Sequence, residues 1–344
     1  RGIADTRANS RHNNGIFSVE RRFGKDGNAP PATAGGTDSR LGGRVFVRGN
    51  VFDERRNNGT GLTYNKTYFR QGTGGVDIVQ EDLGEVRLRV FVESQVYDQS
   101  FSAVSTDRNS ETLSRLQRVP SQAVGVSVFW TRPLREHTLA ASFETREVRG
   151  SSDEVGYTLG RPTSLLGSGG RQRTIAFLVQ DNWQATDKLN LNLGLRIDSW
   201  KNVDALSTSR PLQTNAASVT LFPDRDETAV SPRVAAIYQF TPNVSAYGSY
   251  TRSFRAPTLN ELYRGFRVGN IVTQANEDLR AEYADTFEGG AAVGMLGRRL
   301  NLRGNVFVTR VSDPVVSVTL SATPTLITRQ RQNVGETRTA GAEL

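Results

Sequence analysis

Hydrophobic and polar residues alternate with a period of two along most of this chain. The clearest run, KLNLNLGLRIDSW at 188–200, places the apolar side chains from Leu189 to Ile197 on one face and mostly polar residues on the other. Such alternation is typical of β-strands with one apolar and one polar face. Similar runs lie at 86–98, 122–130, 174–183 and 298–310. About thirteen strands are predicted, and helical periodicity is nearly absent, so we predict an all-β protein.

The connections between the predicted strands alternate between short and long. Short turns are expected at 133–136, 186–188, 241–243 and 294–298. Long polar connections are expected at about 56–67, 101–121, 150–171, 202–226, 256–280 and 312–325. One segment, 25–43, should be short by this order and is long. From residue 56 onward the order predicts an antiparallel up-and-down sheet whose two ends face different environments.

The length of the predicted strands indicates a membrane. The alternating runs extend over about ten to fifteen residues, whereas strands of globular proteins average about five or six. A tilted β-strand needs about 9–11 residues to cross a bilayer. Unpaired backbone groups are costly in lipid, so such a sheet must close. We therefore predict an antiparallel up-and-down transmembrane β-barrel.

One predicted strand ends abruptly in the stretch YGSYTRSFRAPTLNELYRGF at 247–266. Pro257 cannot donate a ladder hydrogen bond and should stop the strand. The following residues match a capping box, with Thr258 as N-cap and Glu261 at the third helical position. We expect these three residues to form a structural cap that opens a loop reaching to about residue 280.

Several segments of the chain carry a family resemblance. They are YGSYTRSFRAPTLNELY at 247–263, NEDLRAEYADTFEGG at 276–290, RQNVGETRTAGAEL at 331–344, FLVQDNWQATDKLNLNLGLRID at 177–198 and SPRVAAIYQFTPNVSAYGSY at 231–250. In content, order and spacing they resemble the C-terminal half of the TonB-dependent outer-membrane receptors. The specific motifs cover about residues 170–344, and the earlier part resembles the family only in its general pattern.

The resemblance implies a 22-stranded barrel in the bacterial outer membrane, occluded by an N-terminal plug domain. It also implies energy coupling through TonB and uptake of a scarce ligand, such as a ferric siderophore, cobalamin, haem or a saccharide. The partners would be the TonB complex, outer-membrane lipid and lipopolysaccharide, and the ligand. Residues 1–344 contain no recognisable plug and about thirteen of the 22 strands. They are therefore expected to be a partial barrel domain, without the plug and the last strands.

Composition excludes several other functions. The chain has no cysteine and two histidines, which excludes thiolate chemistry and makes a histidine triad or a multi-histidine metal site improbable. The net charge is +8, but the basic residues are scattered and form no block, so a nucleic-acid partner is not expected. No pair of carboxylates stands out as an acid and a base. We expect no enzyme activity, no cofactor and no metal site.

Arginines near the predicted cap are the candidate ligand-binding residues. They are Arg252, Arg255, Arg264 and Arg267. Together they would form a basic vestibule that attracts an anionic ligand. The alternative is structural, since arginines on a barrel wall commonly pair with carboxylates or with lipopolysaccharide phosphates.

Two other classes of protein remain open at this point. A passive porin-like or structural outer-membrane barrel would show the same strands, and a plug domain would distinguish the receptor from it. A soluble β-rich enzyme or carbohydrate-binding module would instead bury the apolar strand faces in a core.

Overall fold

The structure, a computed structural model, describes residues 2–24, 41–297 and 299–344. The long strands are β1 (Asn9–Phe23), β2 (Gly42–Asn57), β3 (Tyr64–Gln80), β4 (Gly84–Val104), β5 (Glu111–Leu134), β6 (His137–Thr158), β7 (Arg161–Gln184) and β8 (Leu189–Pro211). They are followed by β9 (Ser218–Leu221), β10 (Arg225–Thr241), β11 (Val244–Arg255), α1 (Leu259–Tyr263), β12 (Phe266–Val268), β13 (Ile271–Gln274) and β14 (Glu282–Met295). The last are β15 (Leu300–Ser312), β16 (Val315–Ala322), β17 (Ile327–Asn333) and β18 (Glu336–Glu343).

One large antiparallel sheet contains most of these strands. Within the described residues it runs in the order β1-β2-β3-β4-β5-β6-β7-β8-β10-β11-β14-β15-β18, with the short β9 paired to β8. The predicted all-β, up-and-down arrangement and the count of about thirteen strands are confirmed. The described β1 and β18 lie at the two edges and are not paired with each other, so the sheet is an open segment of a barrel wall.

A second, smaller sheet lies in the connections at one end of the large sheet. Its order is β12-β13-β17-β16. Its β13 and β17 are parallel, pairing Ile271 with Ile327. These four strands come from two separate connections, 256–281 and 313–335. The sequence pattern predicted long polar segments at about 256–280 and 312–325, and the second of these ends before β17 begins.

Three of the predicted long connections, 101–121, 150–171 and 202–226, are wrong, because most of their residues extend strands of the large sheet. The segment 202–226 consists mostly of the end of β8, of β9 and of the start of β10. The segment 101–121 belongs to β4 and β5 except for a loop at 105–110. The segment 150–171 belongs to β6 and β7, which are joined by a two-residue turn at Leu159 and Gly160 with φ of 50° and 74°. Positive φ at both positions matches the twist of a tight hairpin. Beyond the membrane both faces of a strand are wetted, so the ladder continues without the apolar alternation that predicts it.

The short turns lie at the opposite end of the large sheet. They join β3 to β4, β5 to β6, β7 to β8 and β10 to β11, as the alternating order predicts. Two predicted features lie partly outside the described residues. Residues 25–40 of the long segment 25–43 are not described, and neither is Arg298 of the predicted turn 294–298.

The two faces of the sheet differ in chemistry. Direct cross-strand partners share a face, so the pairing register defines rows across the sheet. One unbroken apolar row crosses eight strands and consists of Val45, Val76, Leu88, Val128, Phe143, Phe177, Ile197 and Val230. Phe177 in this row is 56% exposed. We call this the outward face, and its apolar surface suits contact with lipid.

The inner face carries polar and small residues. The neighbouring row on this side contains Arg89, Ser127, Glu144, Ala176, Asp198 and Ala229. Asp198 is only 3% exposed and is held by Arg196, which also contacts Glu144 at 3.0 Å. A polar face opposite an apolar one is the arrangement of a membrane barrel wall and its lumen. Among the described residues, no helix is long and apolar enough to cross a membrane.

Candidate functional site

The strand β11 ends in a helical cap. Thr258 is the N-cap of α1; its hydroxyl accepts a hydrogen bond from the Glu261 backbone N–H at 3.2 Å. The Glu261 carboxylate accepts one in return from the Thr258 backbone N–H at 2.9 Å. Pro257 is fully buried, and its carbonyl accepts a hydrogen bond from Gln172 of β7 at 3.4 Å. The cap therefore sends the connection 256–281, which we call the capped loop, onto the neighbouring strands.

A small apolar core fastens the capped loop to β8. Leu262, Tyr263 and Leu279 are at most 1% exposed and pack with Ala205. The Tyr263 ring lies 4.9 Å from that of Phe222. Full burial of such side chains contributes about 1.5–3 kcal/mol each. The capped loop is thus a packed part of the wall.

A second apolar cluster supports the base of the capped loop. Trp200, Ala229 and Ala281 are buried together. The Trp200 ring stacks on Phe254 at 5.1 Å with an interplanar angle of 9°. Because Trp200 lies on the same face of β8 as Asp198, this cluster places the loop over the inner face.

Arg255 is bound in an ion-pair network with two carboxylates. It donates to Glu282 and, at 2.9 Å, to Glu261. The hydrogen bond from Arg255 holds the pKa of Glu282 below its ordinary value of 4.5. Burial acts to raise the pKa of Glu261, but bonds from Arg255 and from the Thr258 backbone and side chain outweigh it and lower that pKa. Arg255 therefore links the cap to the start of β14.

Arg264 is partly buried and belongs to a second ion-pair network. Its guanidinium donates to Glu154 of β6 at 2.6 Å, and Arg115 of β5 donates to the same carboxylate at 3.0 Å. Arg115 and Glu154 are 6% and 4% exposed. Two arginines and one carboxylate give this network a net charge of +1. Because Arg264 lies in the capped loop and its partners lie on β5 and β6, the network joins the capped loop to the extended β5–β6 hairpin.

The other two predicted arginines have looser surroundings. The Arg252 guanidinium lies 4.6 Å from the centre of the Tyr283 ring, with its Nε 4.0 Å from Asp285. Arg267 is exposed and donates to the Gly269 carbonyl at 2.9 Å. The structure therefore brings Arg255 and Arg264 into ion pairs and leaves Arg267 facing solvent.

The sequence prediction missed two residues beside this set. Phe266 lies between Arg264 and Arg331, whose guanidinium groups are 4.9 and 5.4 Å from its ring centre. Burial lowers the pKa of Arg331, and the nearby charge of Glu261 opposes this. The alternation Arg329-Gln330-Arg331 on β17 was the available signal, but the parallel pairing that brings it to the capped loop was not predictable. We call Arg264, Phe266, Arg267 and Arg331 the vestibule patch.

The described residues contain no cluster of side chains suited to binding a metal ion. In the described parts of the chain, no group of three or more His, Asp or Glu side chains could hold a metal ion. Asp224, which sequence places in an acidic run, pairs with Lys201 at 3.0 Å. The vestibule patch instead offers the exposed Arg267, the partly buried Arg331 and an aromatic ring, a combination that suits an anionic ligand.

Comparison with known proteins identifies the family. The family described as "TonB dependent receptor-like, beta-barrel" matches residues 3–344, nearly the whole chain. This chain belongs to the TonB-dependent receptor family. A search of curated protein sequences found no match. The matched family consists of receptors rather than enzymes.

Solved structures of receptors and transporters share the fold. The Serratia marcescens hemophore receptor HasR aligns at 13% identity with a TM-score of 0.61, over 97% of this chain and 59% of its own. The ferric yersiniabactin uptake receptor FyuA from Yersinia pestis aligns at 13% identity with a TM-score of 0.64, over 96% and 53%. The copper transporter OprC aligns at 14% identity with a TM-score of 0.62, over 95% and 53%. This chain thus spans between half and three fifths of the structures named here.

Proposed function

We propose that this chain forms part of the barrel wall of a bacterial outer-membrane receptor that imports a scarce ligand with energy delivered through TonB. The family match over residues 3–344 carries the proposal. The outward apolar row gives it a physical basis, because eight successive strands present side chains suited to lipid. In the complete receptor, TonB would act through a plug domain, and residues 1–344 would belong to the partial barrel.

The proposed ligand is an anionic metal chelate of the siderophore type. The vestibule patch supports this class through its cationic side chains, since Arg267 is exposed and the Arg331 guanidinium lies against the Phe266 ring. The printed names of the solved neighbours concern haem with its hemophore, ferric yersiniabactin and copper. A chelate with net negative charge would be drawn to such a patch, and the attraction would weaken with salt.

Dependence on TonB tests the transport class. The full-length receptor would be expressed in outer membranes of otherwise matched strains with and without TonB, and uptake of radiolabelled ferric siderophores would be measured. We expect uptake only in the strain with TonB. Equal uptake in both strains would favour the alternative, a passive porin-like or structural barrel.

Substitution of the vestibule arginines tests the ligand site. Arg267→Gln and Arg331→Gln should each weaken binding of an anionic chelate about tenfold, the loss of one charge-assisted contact. Arg299→Gln, at the opposite end of the sheet, is the matched control and should bind normally. Unchanged affinity of both vestibule variants would place the ligand site elsewhere, while leaving the TonB experiment valid.

A further inference from the structure

The strand β16 lies at an edge of the small sheet and has a free side. It pairs with β17 on one side, and among the described residues no strand pairs with it on the other. Six of its eight residues are exposed, including Val316 and Leu320. In an edge strand every second residue directs its backbone N–H and C=O groups away from the sheet. The edge therefore offers hydrogen-bonding groups to water or to a partner.

This edge lacks the residues that usually discourage the addition of another strand. Exposed edge strands of natural proteins commonly carry charged side chains, above all lysine, or proline. The sequence of β16, VVSVTLSA, contains neither. A shift of register between Thr319 and Ser321 leaves 315–319 as the regular part of the strand. Regular pairing with an incoming strand is therefore available along these residues.

Side-chain hydrogen bonds hold β17, and with it β16, against the capped loop. Asn276 donates to the Arg331 carbonyl at 2.7 Å. Gln330 donates to the Ala275 carbonyl at 3.1 Å. The parallel pairing of β13 with β17 adds backbone contacts to these bonds. Because the edge is already ordered, binding of an extended segment does not have to overcome the entropy of forming it.

One face of the edge is basic. Ser317 and Thr319 stand directly across from Arg331 and Arg329 of β17, and direct cross-strand partners share a face. The ion pairs among the described residues include neither of these arginines. An added strand would lie two strand spacings, about 10 Å, from β17. Because Ser317 and Thr319 have short side chains, an arginine and a glutamate that extend from either side would meet across them.

The other face of the same edge is uncharged. Val316 and Val318 stand across from Gln332 and Gln330. β-Branched side chains pack well against one another on the surface of a sheet. Successive residues of an incoming strand would thus meet arginines on one face and valines on the other.

We propose that β16 is a docking site for an extended acidic peptide segment of a protein partner, which adds to the small sheet as a further strand. Its carboxylates would lie on the face of Arg329 and Arg331, and its apolar side chains on the face of Val316 and Val318. Main-chain hydrogen bonds would supply affinity, and the alternating side chains would supply specificity. The inference goes beyond the proposed function, because it concerns a protein partner and requires neither transport nor a bound chelate.

Binding of a synthetic peptide to the detergent-solubilised full-length receptor tests this inference. The probe is a fluorescently labelled, end-capped peptide of alternating valine and glutamate, with the same length of eight residues as β16. Fluorescence anisotropy would give its affinity, and hydrogen exchange would locate its site. We expect saturable binding that slows exchange in β16. Replacing the glutamates of the peptide by glutamines should weaken binding about tenfold, the loss of one charge-assisted contact.

N-methylation of the peptide separates strand addition from simple attraction of charge. Two further peptides carry N-methyl groups on alternate residues, one on its valines and the other on its glutamates. Only alternate N–H groups of an added strand donate to the edge. One methylated peptide should therefore lose binding and the other should retain it, although both keep the charge of the probe.

Substitutions in the receptor supply the matched controls. Arg329→Gln should reduce the preference for the glutamate peptide over the glutamine peptide. Arg210→Gln removes an exposed arginine from the same end of the large sheet and should bind both peptides like the wild type. The assay contains no chelate, so its outcome is independent of the proposed ligand.

Three results would overturn the inference. Equal binding of the two methylated peptides would indicate ionic attraction without strand addition. Absence of peptide binding, with slow exchange of β16 in the free receptor, would show that another segment of the complete chain covers the edge. Exchange in β16 that slows as the receptor concentration rises would indicate pairing with a second copy instead.

Discussion

Replacing Ile197 by arginine tests which face of the sheet meets lipid. Ile197 occupies the eight-strand apolar row between Phe177 and Val230 and is 42% exposed on the outward face. An arginine near the bilayer midplane of a membrane barrel costs about 2–4 kcal/mol, and the cost falls to about 0–1 kcal/mol near the interface. Ile197 is the last apolar residue of this face of β8 before Ser199 and Lys201, so we expect Ile197→Arg to lower the free energy of unfolding by an intermediate amount, about 1–3 kcal/mol.

Ser199→Arg is the matched control on the same strand and face. Ser199 lies two residues, or about 6.6 Å of strand, toward the extended hairpins. It is followed on this face by Lys201, which is already charged. Ser199→Arg should therefore cost less than about 1 kcal/mol. Both values would be measured by denaturant unfolding of the full-length receptor in lipid vesicles, and a cost below about 1 kcal/mol for both variants would refute the assignment of the outward face.

Three further predictions concern the capped loop. Thr258→Ala should weaken the helical cap by about 1 kcal/mol, seen as faster hydrogen exchange in α1; unchanged exchange would show that packing alone holds the turn. Glu154→Gln should cost about 3–5 kcal/mol, because it leaves two buried arginines uncompensated; limited proteolysis should then cut the loop, and continued resistance would contradict the tie. The contribution of Glu282, whose pKa is held below its ordinary 4.5 by Arg255, should be complete above pH 4.5. It should be lost as the pH falls through the lowered folded pKa, and loop exchange that does not change with pH in this window would argue against that pair.

The sequence pattern predicted the parts of the fold that depend on one strand and its solvent. The alternation at 188–200 assigns the outward face correctly, because period two maps directly onto the two sides of a strand. The capping box was also predictable, because its two hydrogen bonds join Thr258 and Glu261, which are only three positions apart along the chain. The strand extensions at 101–121 and 150–171 were not predicted. Strands exposed to water on both faces need no apolar alternation, so the sequence carries no period-two signal there.

The candidate site was likewise predictable only in part. The sequence indicated Arg255 and Arg264 near the cap, but it could not show which carboxylates bind them, because some of those carboxylates come from distant parts of the chain. The carboxylate that holds Arg264 is 110 residues away along the chain, and Arg331 joins through a parallel pairing between β13 and β17. No spacing rule connects residues so distant, because their contact depends on the register of several strands.

The amino-acid pattern was enough to predict an antiparallel sheet of long amphipathic strands with a capped loop, since these features follow from side-chain alternation and short-range hydrogen bonding. The three-dimensional arrangement was needed to show which arginines are held in ion pairs and which face solvent. It also showed that Gly49 and Gly72 lie directly across from each other on neighbouring strands, with the Phe17 ring against Gly49. Such juxtapositions are set by strand register, which fixes neighbours across the sheet independently of their separation along the chain.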